Sequence, residues 1–278
     1  MIILGKEISS KKKEEIKNEI SEIVDGGHRA PCLVSILVGD DPASKVYISN
    51  KEKSCNDVGI RNITERYPAD ISEEELISNI YRYNIDRDVD GILVQLPLPK
   101  HINSENVLRA IDPKKDVDGF HPENVSKLWL KEDCLLPCTP KGIITLLDEY
   151  NIDLCGKHVV VVGRSNIVGL PISKLCIDRN ATVTICHSKT QNLSDITKQC
   201  DILIVAIGRP KFITADMVSD GVVVIDVGIN RIDGKLCGDV DFDTVKDKAS
   251  YITPVPGGVG PMTICELMDN TLKCYKNK

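Results

Sequence analysis

No apolar stretch of this chain approaches the roughly 20 residues that span a bilayer, so a membrane-embedded protein is not expected. Basic runs are equally scarce: none exceeds Lys11-Lys12-Lys13, which passes straight into Glu14 and Glu15 in the manner of a solvated helix face. With 35 Lys and Arg against 41 Asp and Glu the net charge is −6, which disfavours a nucleic-acid partner. Among eleven cysteines there is no CxxC pair. The five histidines, His28, His101, His121, His158 and His187, offer no pair at ligand spacing to complete a zinc site with Cys134 and Cys138. The odd cysteine count, mostly inside apolar runs, points to reduced thiols packed as small hydrophobes, hence to a reducing compartment. Because MIILGKEISSKKK carries its charge after its apolar residues, it does not read as a secretory signal. The expectation is a soluble cytoplasmic protein with no metal.

The 278 residues are 42% apolar and 27% charged, which excludes a disordered or collagen-like chain and suits one large or two medium domains. Short β-branched runs alternate with segments of helical period, the signature of βαβ units and an α/β fold with parallel sheets. In the first half, strands are expected at 32–40, 60–68 and 90–99. A helix over 42–58 stops at Gly59, and Ser72 with Glu75 forms a capping box for a helix through Tyr83. A short helix over SENVLRAI precedes a polar loop, PKKDVDGFHPEN. In the second half, Thr139 and Pro140 read as N-cap and first residue of a helix through Tyr150. Five strands follow, at 158–163, 181–188, 201–208, 222–229 and 250–255. Their near-continuous Val and Ile suit strands covered on both faces, so this half reads as a doubly wound sheet. The domain boundary is placed between Trp129 and Pro137. Beyond Pro261, Met262, Cys265, Leu267, Met268 and Leu272 suit one amphipathic helix.

HVVVVGRSNIVGLPISKLC is a strand, a glycine turn and a helix start, which lets backbone N–H groups and the helix dipole meet a pyrophosphate. The match to G-x-G-x-x-G is imperfect: Gly163 is present, Ser165 replaces the second glycine and Gly169 arrives late. A tight turn that binds nothing is the competing explanation. The next strand ends in Cys186-His187-Ser188-Lys189-Thr190, with no acid to hold a ribose 2′-hydroxyl. A hydroxyl beside a cation, with Arg164 near by, suits a 2′-phosphate and therefore NADP over NAD, unless Ser188 and Lys189 merely face solvent. AIGRP (206–210) and DVGIN (226–230) lie at strand ends where a nicotinamide pocket is expected. PVPGGVGPMT (254–263) permits close backbone approach to a ligand, or simply makes a turn.

In the first half, Tyr47 and Lys51 are four apart and share a helix face, with Asn50 and Ser54 beside them. Ala43, Val46 and Val58 are expected to mark the core-facing stripe, and a solvated polar face is the competing explanation of the Tyr47 strip. Gln95 interrupts an apolar run just before Leu96-Pro97, where an unpaired amide costs about 1–3 kcal/mol, so it requires a partner, structural or chemical. Asp116-Val117-Asp118-Gly119 places a carboxylate where it can accept paired N–H donors from a planar heterocycle or cap a turn.

Taken together, SKVYISNKEKSCNDVGI, DGILVQLPLPKHIN, KDVDGFHPEN, LPCTPKGIITLL, VVVVGRSNIVGLP, ATVTICHSKT and TPVPGGVGPMT, in this order, resemble the bifunctional methylenetetrahydrofolate dehydrogenase/cyclohydrolase family, known in bacteria as FolD. The resemblance covers nearly the whole chain. It implies NADP-dependent oxidation of 5,10-methylenetetrahydrofolate to the 5,10-methenyl cation, then hydrolysis to 10-formyltetrahydrofolate. Two domains flanking a cleft are implied: a folate-binding catalytic domain over 1–136 and a Rossmann-like NADP-binding domain over 137–261. The terminal helix, 262–278, is implied to return to the first domain. The resemblance aligns Lys51, Tyr47 and Gln95 with the family's catalytic residues and Asp118 with its pterin-binding aspartate. Gly260, Pro261 and Thr263 become further substrate contacts, and Gly163, Arg164, Ser165, Ser188 and Ile229 the dinucleotide contacts. A homodimer joined through the dinucleotide domains is implied. Two other classes compete: a different NADP oxidoreductase, such as a shikimate-type dehydrogenase, and a catalytically silent nucleotide-sensing module. The second requires that Tyr47, Lys51, Gln95 and Asp118 do not converge.

Overall fold

A computed structural model of the chain describes residues 1–277, and every side chain among them except that of Ala43. The chain divides into two compact units, Lys11–Cys138 with the segment from Ile264 onward, and Met1–Ser10 with Thr139–Thr263. The division falls just past the expected 129–137 window. The first ten residues, expected with the leading domain, cluster with the other unit because Ile3 donates its N–H to Ile252 O and sits in that unit's core.

The first unit follows α1 (Gly5–Asp25), β1 (Cys32–Val38), α2 (Pro42–Val58), β2 (Arg61–Tyr67), α3 (Glu73–Ile85), β3 (Gly91–Val94), α4 (Ser104–Ala110) and α5 (Pro122–Leu130). Its parallel sheet has the order β2-β1-β3, so all seven residues of β1 are buried. Alternation sorts them. Leu33 and Leu37 join the core shared with Ile48 and Val58 of α2, whereas Val34, Ile36 and Val38 join the one shared with Leu76 and Ile80 of α3. Local chemistry sets the helix ends: Gly59 ends α2 at φ 85° and Ser72 accepts the Glu75 N–H ahead of α3, both as expected, and Asp41, not singled out in the sequence, accepts the Ser44 N–H ahead of α2. The strand expected over 90–99 is only four residues long, since Pro97 and Pro99 have no N–H for a ladder. The polar loop expected through Asn124 instead turns into α5 at Pro122, where His121 Nδ1 accepts the Glu123 N–H.

The second unit contains α6 (Cys138–Glu149), β4 (His158–Val162), α7 (Gly169–Asp178), β5 (Thr182–Cys186), α8 (Leu193–Thr197), β6 (Ile202–Val205), β7 (Val223–Asp226), β8 (Asn230–Ile232), β9 (Lys235–Cys237), α9 (Phe242–Val245), β10 (Tyr251–Ile252) and the start of α10 (Val259–Lys276). All five expected strands appear, trimmed, in one parallel sheet of order β10-β7-β6-β4-β5. The unexpected addition is the β8–β9 hairpin, turned by Asp233 and Gly234 at φ 49° and 78°. Thr139 is already inside α6, and its hydroxyl pairs with Thr263 Oγ1 at 2.9 Å instead of capping. Beyond Ile264, α10 gives Cys265, Leu267, Met268 and Leu272 to the first unit's core. Lys278, expected in this helix, lies outside the described residues.

All eleven cysteines are thiols, eight of them buried. No helix among the described residues is long and apolar enough to cross a membrane. Gly91 shows how tightly the first unit closes, because a Cβ there would lie 2.4 Å from Val117 Cγ1. Gly91→Ala is therefore expected to destabilise the chain by about 1–3 kcal/mol in urea titration. Combined with Val117→Ala it should cost less than the two single changes added, since the collision is removed.

Candidate active site

The side chains of α2 do not face the way their polarity suggests. Ser44, Ile48, Lys51, Cys55 and Val58, spaced by four and three, form its buried face. Val46, expected in the core, is 52% exposed, and Asn50, expected beside Lys51, is exposed. The side chain of Ala43, the other expected core position, lies outside those described. Ser54 is buried and accepts from Lys13 Nζ at 2.9 Å. Of the polar strip, Lys51 and Ser54 thus face inward, and Lys51 is only 8% exposed. An ammonium drawn that far from water requires partners.

Its partner comes from the end of β3. Lys51 Nζ donates to Gln95 Oε1 at 3.0 Å. Gln95 Nε2 donates to Leu96 O at 2.7 Å, which aims the amide oxygen and not the amide NH2 at the amine. The Gln95 N–H continues the β1–β3 ladder by donating to Ile36 O. The Gln95 amide thus has both a side-chain partner, Lys51 Nζ, and a backbone partner, Leu96 O.

The loop 115–119 supplies a carboxylate. It runs beside β3, with the Ile92 N–H donating to Lys115 O, while Lys115 Nζ is buried on the carbonyls of Tyr83 and Asp86. Its two aspartates stand in different surroundings. Asp116 caps the turn, accepting from the His121 N–H and Asn124 Nδ2. Asp118 is half-buried and lies in the field of Lys51. Burial pushes the Asp118 carboxyl up to about 6, outweighing the pull of the Lys51 ammonium; Asp116 adds to the rise, and the Cys138 thiol opposes it. Cys138, buried beside this carboxylate and bonded to Val117 O at 3.2 Å, belongs to the site's frame. Sequence spacing pairs this thiol only with Cys134 and gives no sign of that place. Tyr47 stands half-buried on α2, one turn before Lys51.

In the second unit the glycine turn follows β4. A Cβ on Gly163 would lie 2.3 Å from Ala206 O, and one on Gly169 2.3 Å from Gly163 O, so the late glycine lets α7 close onto the turn. Ser165, in place of the second glycine, accepts the N–H groups of Val168 and Gly169. Arg164, Ser165, Asn166 and Ile167 stand exposed at the helix start. The Gly163 N–H donates to Cys186 O, which sets the turn beside the end of β5, where Ser188 and Lys189 are exposed. A cradle that a Cβ would fill, opening on a helix start with a cation and hydroxyls around it, fits a phosphorylated dinucleotide. Ile229 is exposed, and a Cβ on Gly260 would meet its Cδ1 at 3.7 Å. Pro261 O accepts from Ser9 Oγ, and Thr263 is engaged with Thr139. Two buried carboxylates, Asp226 and Asp239, are absent from the residues that sequence reasoning selects. A signal for the first exists: an acid interrupts the apolar run VVVIDVGI as Gln95 interrupts its own.

Two family models match the chain: tetrahydrofolate dehydrogenase/cyclohydrolase, catalytic domain, over residues 3–118, and tetrahydrofolate dehydrogenase/cyclohydrolase, NAD(P)-binding domain, over residues 137–278. The bifunctional protein FolD of Halalkalibacterium halodurans is 54% identical over 276 residues, 99% of each chain. The crystal structure of the bifunctional FolD methylenetetrahydrofolate dehydrogenase/cyclohydrolase of Campylobacter jejuni matches with a TM-score of 0.98 at 49% identity, covering 100% of this chain and 99% of that one. The dehydrogenase-cyclohydrolase of Trypanosoma brucei, solved with NADP and an inhibitor, gives 0.96 at 36% identity, covering 100% and 97%.

The Asp118 carboxyl gives a signed test. Its folded value of about 6 lies above the ordinary carboxylate value of about 4. The folded chain therefore keeps a proton that the unfolded chain has lost, and the resulting stability is present below about pH 4 and gone above about pH 6. Asp118→Asn should make the unliganded chain more stable than its parent above pH 6, with the difference shrinking towards pH 4, as read by urea titration at both ends.

Proposed function

Because this chain belongs to the tetrahydrofolate dehydrogenase/cyclohydrolase family, we propose that Lys51, Tyr47 and Gln95 carry out its chemistry and that Asp118 binds the pterin. The chain is a bifunctional enzyme of one-carbon metabolism. It oxidises 5,10-methylenetetrahydrofolate to 5,10-methenyltetrahydrofolate with a nicotinamide dinucleotide and hydrolyses that product to 10-formyltetrahydrofolate. The observation that supports the residue roles most strongly is the Lys51–Gln95 bond of 3.0 Å, with Asp118 in the field of the same amine.

The residue types suit the two steps. Oxidation leaves a cation spread over the folate's own nitrogens, so the protein's part is orientation. Asp118 accepts paired N–H donors of the pterin, and the Tyr47 ring packs on the folate. A bound dinucleotide supplies the two-electron acceptor. Hydrolysis needs a base for the attacking water and an acid for the departing nitrogen. The Lys51 amine takes the water's proton and returns it to the nitrogen as the carbon–nitrogen bond breaks. Gln95 holds the amine on line throughout, and the Tyr47 hydroxyl orders the water. Gly260, Pro261 and Thr263 are further substrate positions.

The dinucleotide is NADP, held by Gly163, Arg164, Ser165, Ser188 and Ile229. Support comes from exposed Arg164 and Ser188 at neighbouring strand ends with no acid after β5, and from the NADP complex of the relative from T. brucei. The working form is a homodimer through the dinucleotide-binding units. The edge strand β5 is half-buried at Val183, Thr184 and Ile185, and Ile177 on α7 is 47% exposed, a surface suited to a second copy. Eleven thiols suit the reducing cytoplasm.

The test supplies purified protein with 5,10-methylenetetrahydrofolate and NADP or NAD, following reduced cofactor and methenyl absorbance. The expected outcome is faster turnover with NADP. In Lys51→Met, methenyl hydrolysis should fall by about 100-fold or more while dinucleotide affinity is unchanged. Hydrolysis retained in Lys51→Met removes Lys51 from its role.

A further inference from the structure

The residues after β6 form an unusual turn. The N–H groups of Ile207, Gly208 and Arg209, three in succession, all point at one carboxylate. Asp239 Oδ2 accepts from Ile207 at 2.7 Å and Gly208 at 2.9 Å, and Oδ1 accepts from Arg209 at 2.8 Å. Asn230 Nδ2 adds a fourth donor at 2.8 Å. Successive N–H groups of this kind make a concavity for an anion, and here the chain fills it with its own side chain, 0% exposed.

Asp239 is in turn held by a second carboxylate. Asp226, the last residue of β7, accepts the N–H groups of Gly228, Asp239 and Val240. Glycine is required on both sides of this interlock: a Cβ on Gly228 would lie 2.2 Å from Asp239 Cγ, and one on Gly238 1.7 Å from Asp226 Oδ2. Two carboxylates taken out of water are an expensive way to hold one short turn, which ordinary turn residues would hold without them.

The position of the turn gives the reason. In a doubly wound sheet the ligand binds beyond the carboxyl ends of the strands where the strand order reverses. Here that point lies between β4 and β6, which are neighbours although β5 separates them in sequence. The turn after β6 is at this point, with Ala206 O against the Gly163 backbone of the dinucleotide cradle.

We propose that Asp239 is a positioning residue for the dehydrogenase step, fixing through the N–H groups of Ile207, Gly208 and Arg209 the turn on which the nicotinamide end of the dinucleotide is oriented. This role rests on the functional reading above. It places Asp239 outside contact with substrate, acting through backbone it holds still, and assigns the hydrolytic step no dependence on it.

The experiment compares the parent with Asp239→Asn, which keeps the shape but replaces one accepting oxygen with an NH2 that faces N–H donors. Three readouts are taken: NADP affinity by calorimetry, dehydrogenase kcat and KM, and hydrolysis of supplied 5,10-methenyltetrahydrofolate without dinucleotide. The expected result is a dehydrogenase kcat lowered about tenfold or more and NADP affinity weakened about three- to tenfold, with hydrolysis within about twofold of the parent. Unchanged affinity and dehydrogenase kcat, or hydrolysis falling in parallel with them, overturns the proposal. If Asp239→Asn does not fold, Asn230→Ala removes one of the four donors and should show the same split at about threefold; no split overturns it. A parent inactive in both assays overturns the functional reading, while calorimetry still decides on Asp239 through affinity alone.

Discussion

An ammonium group turned into a protein has to be met by something that accepts its protons. In this chain Lys51, on the inward face of α2, meets the Gln95 amide oxygen at 3.0 Å, and much of the first unit serves that meeting. The acceptor is an uncharged amide oxygen, which fixes the direction of the amine without forming an ion pair with it. The amide is itself oriented by its bond to Leu96 O. The strand that delivers it pairs with β1, in the middle of the sheet. Gln95, the first residue past that strand, is still held to the sheet by its N–H on Ile36 O, which suits the proton transfers we propose for Lys51.

The two units surround their buried carboxylates differently. Asp116 is consumed by a backbone N–H and an asparagine, whereas Asp118, two residues on, stands half-buried in the field of Lys51. In the other unit both acids are consumed by backbone N–H groups, Asp226 by those of Gly228, Asp239 and Val240 and Asp239 by those of Ile207, Gly208 and Arg209. Glycines 91, 163, 228 and 238 make such packing possible, each standing where a Cβ would lie less than 2.5 Å from a neighbouring atom. The rigidity of both sites thus derives from backbone that carries no side chain at all.

The second unit's sheet is legible in the sequence because β4, β6 and β7 are runs of Val, Ile and Leu, with β5 and β10 marked by shorter apolar stretches. The helix ends at Gly59 and Ser72 are legible because capping is local chemistry. The orientation of α2 is not. Polarity assigns Val46 to the core and Lys51 to solvent, and the structure reverses both, because a site draws its polar groups inward against the ordinary preference. Gln95 is conspicuous since an amide in an apolar strand demands an explanation. Asp239 is not, because its partners, the N–H groups of Ile207, Gly208 and Arg209, lie about 30 residues away and belong to backbone whose identity no pattern records. The β8–β9 hairpin has a signal in Asp233-Gly234 but lies within a stretch too polar to read as strand.

Hydrolysis by this mechanism requires Lys51 to exchange a proton, not merely to carry charge. Lys51→Arg isolates that property, since guanidinium keeps the charge and the donor capacity but does not deprotonate at working pH. Hydrolysis of 5,10-methenyltetrahydrofolate by this variant, measured in a single turnover, should be slower by about 10²- to 10⁴-fold, with dinucleotide affinity preserved. A rate within a few-fold of the parent would contradict the assignment, and would mean that position 51 supplies charge and that the proton is carried elsewhere.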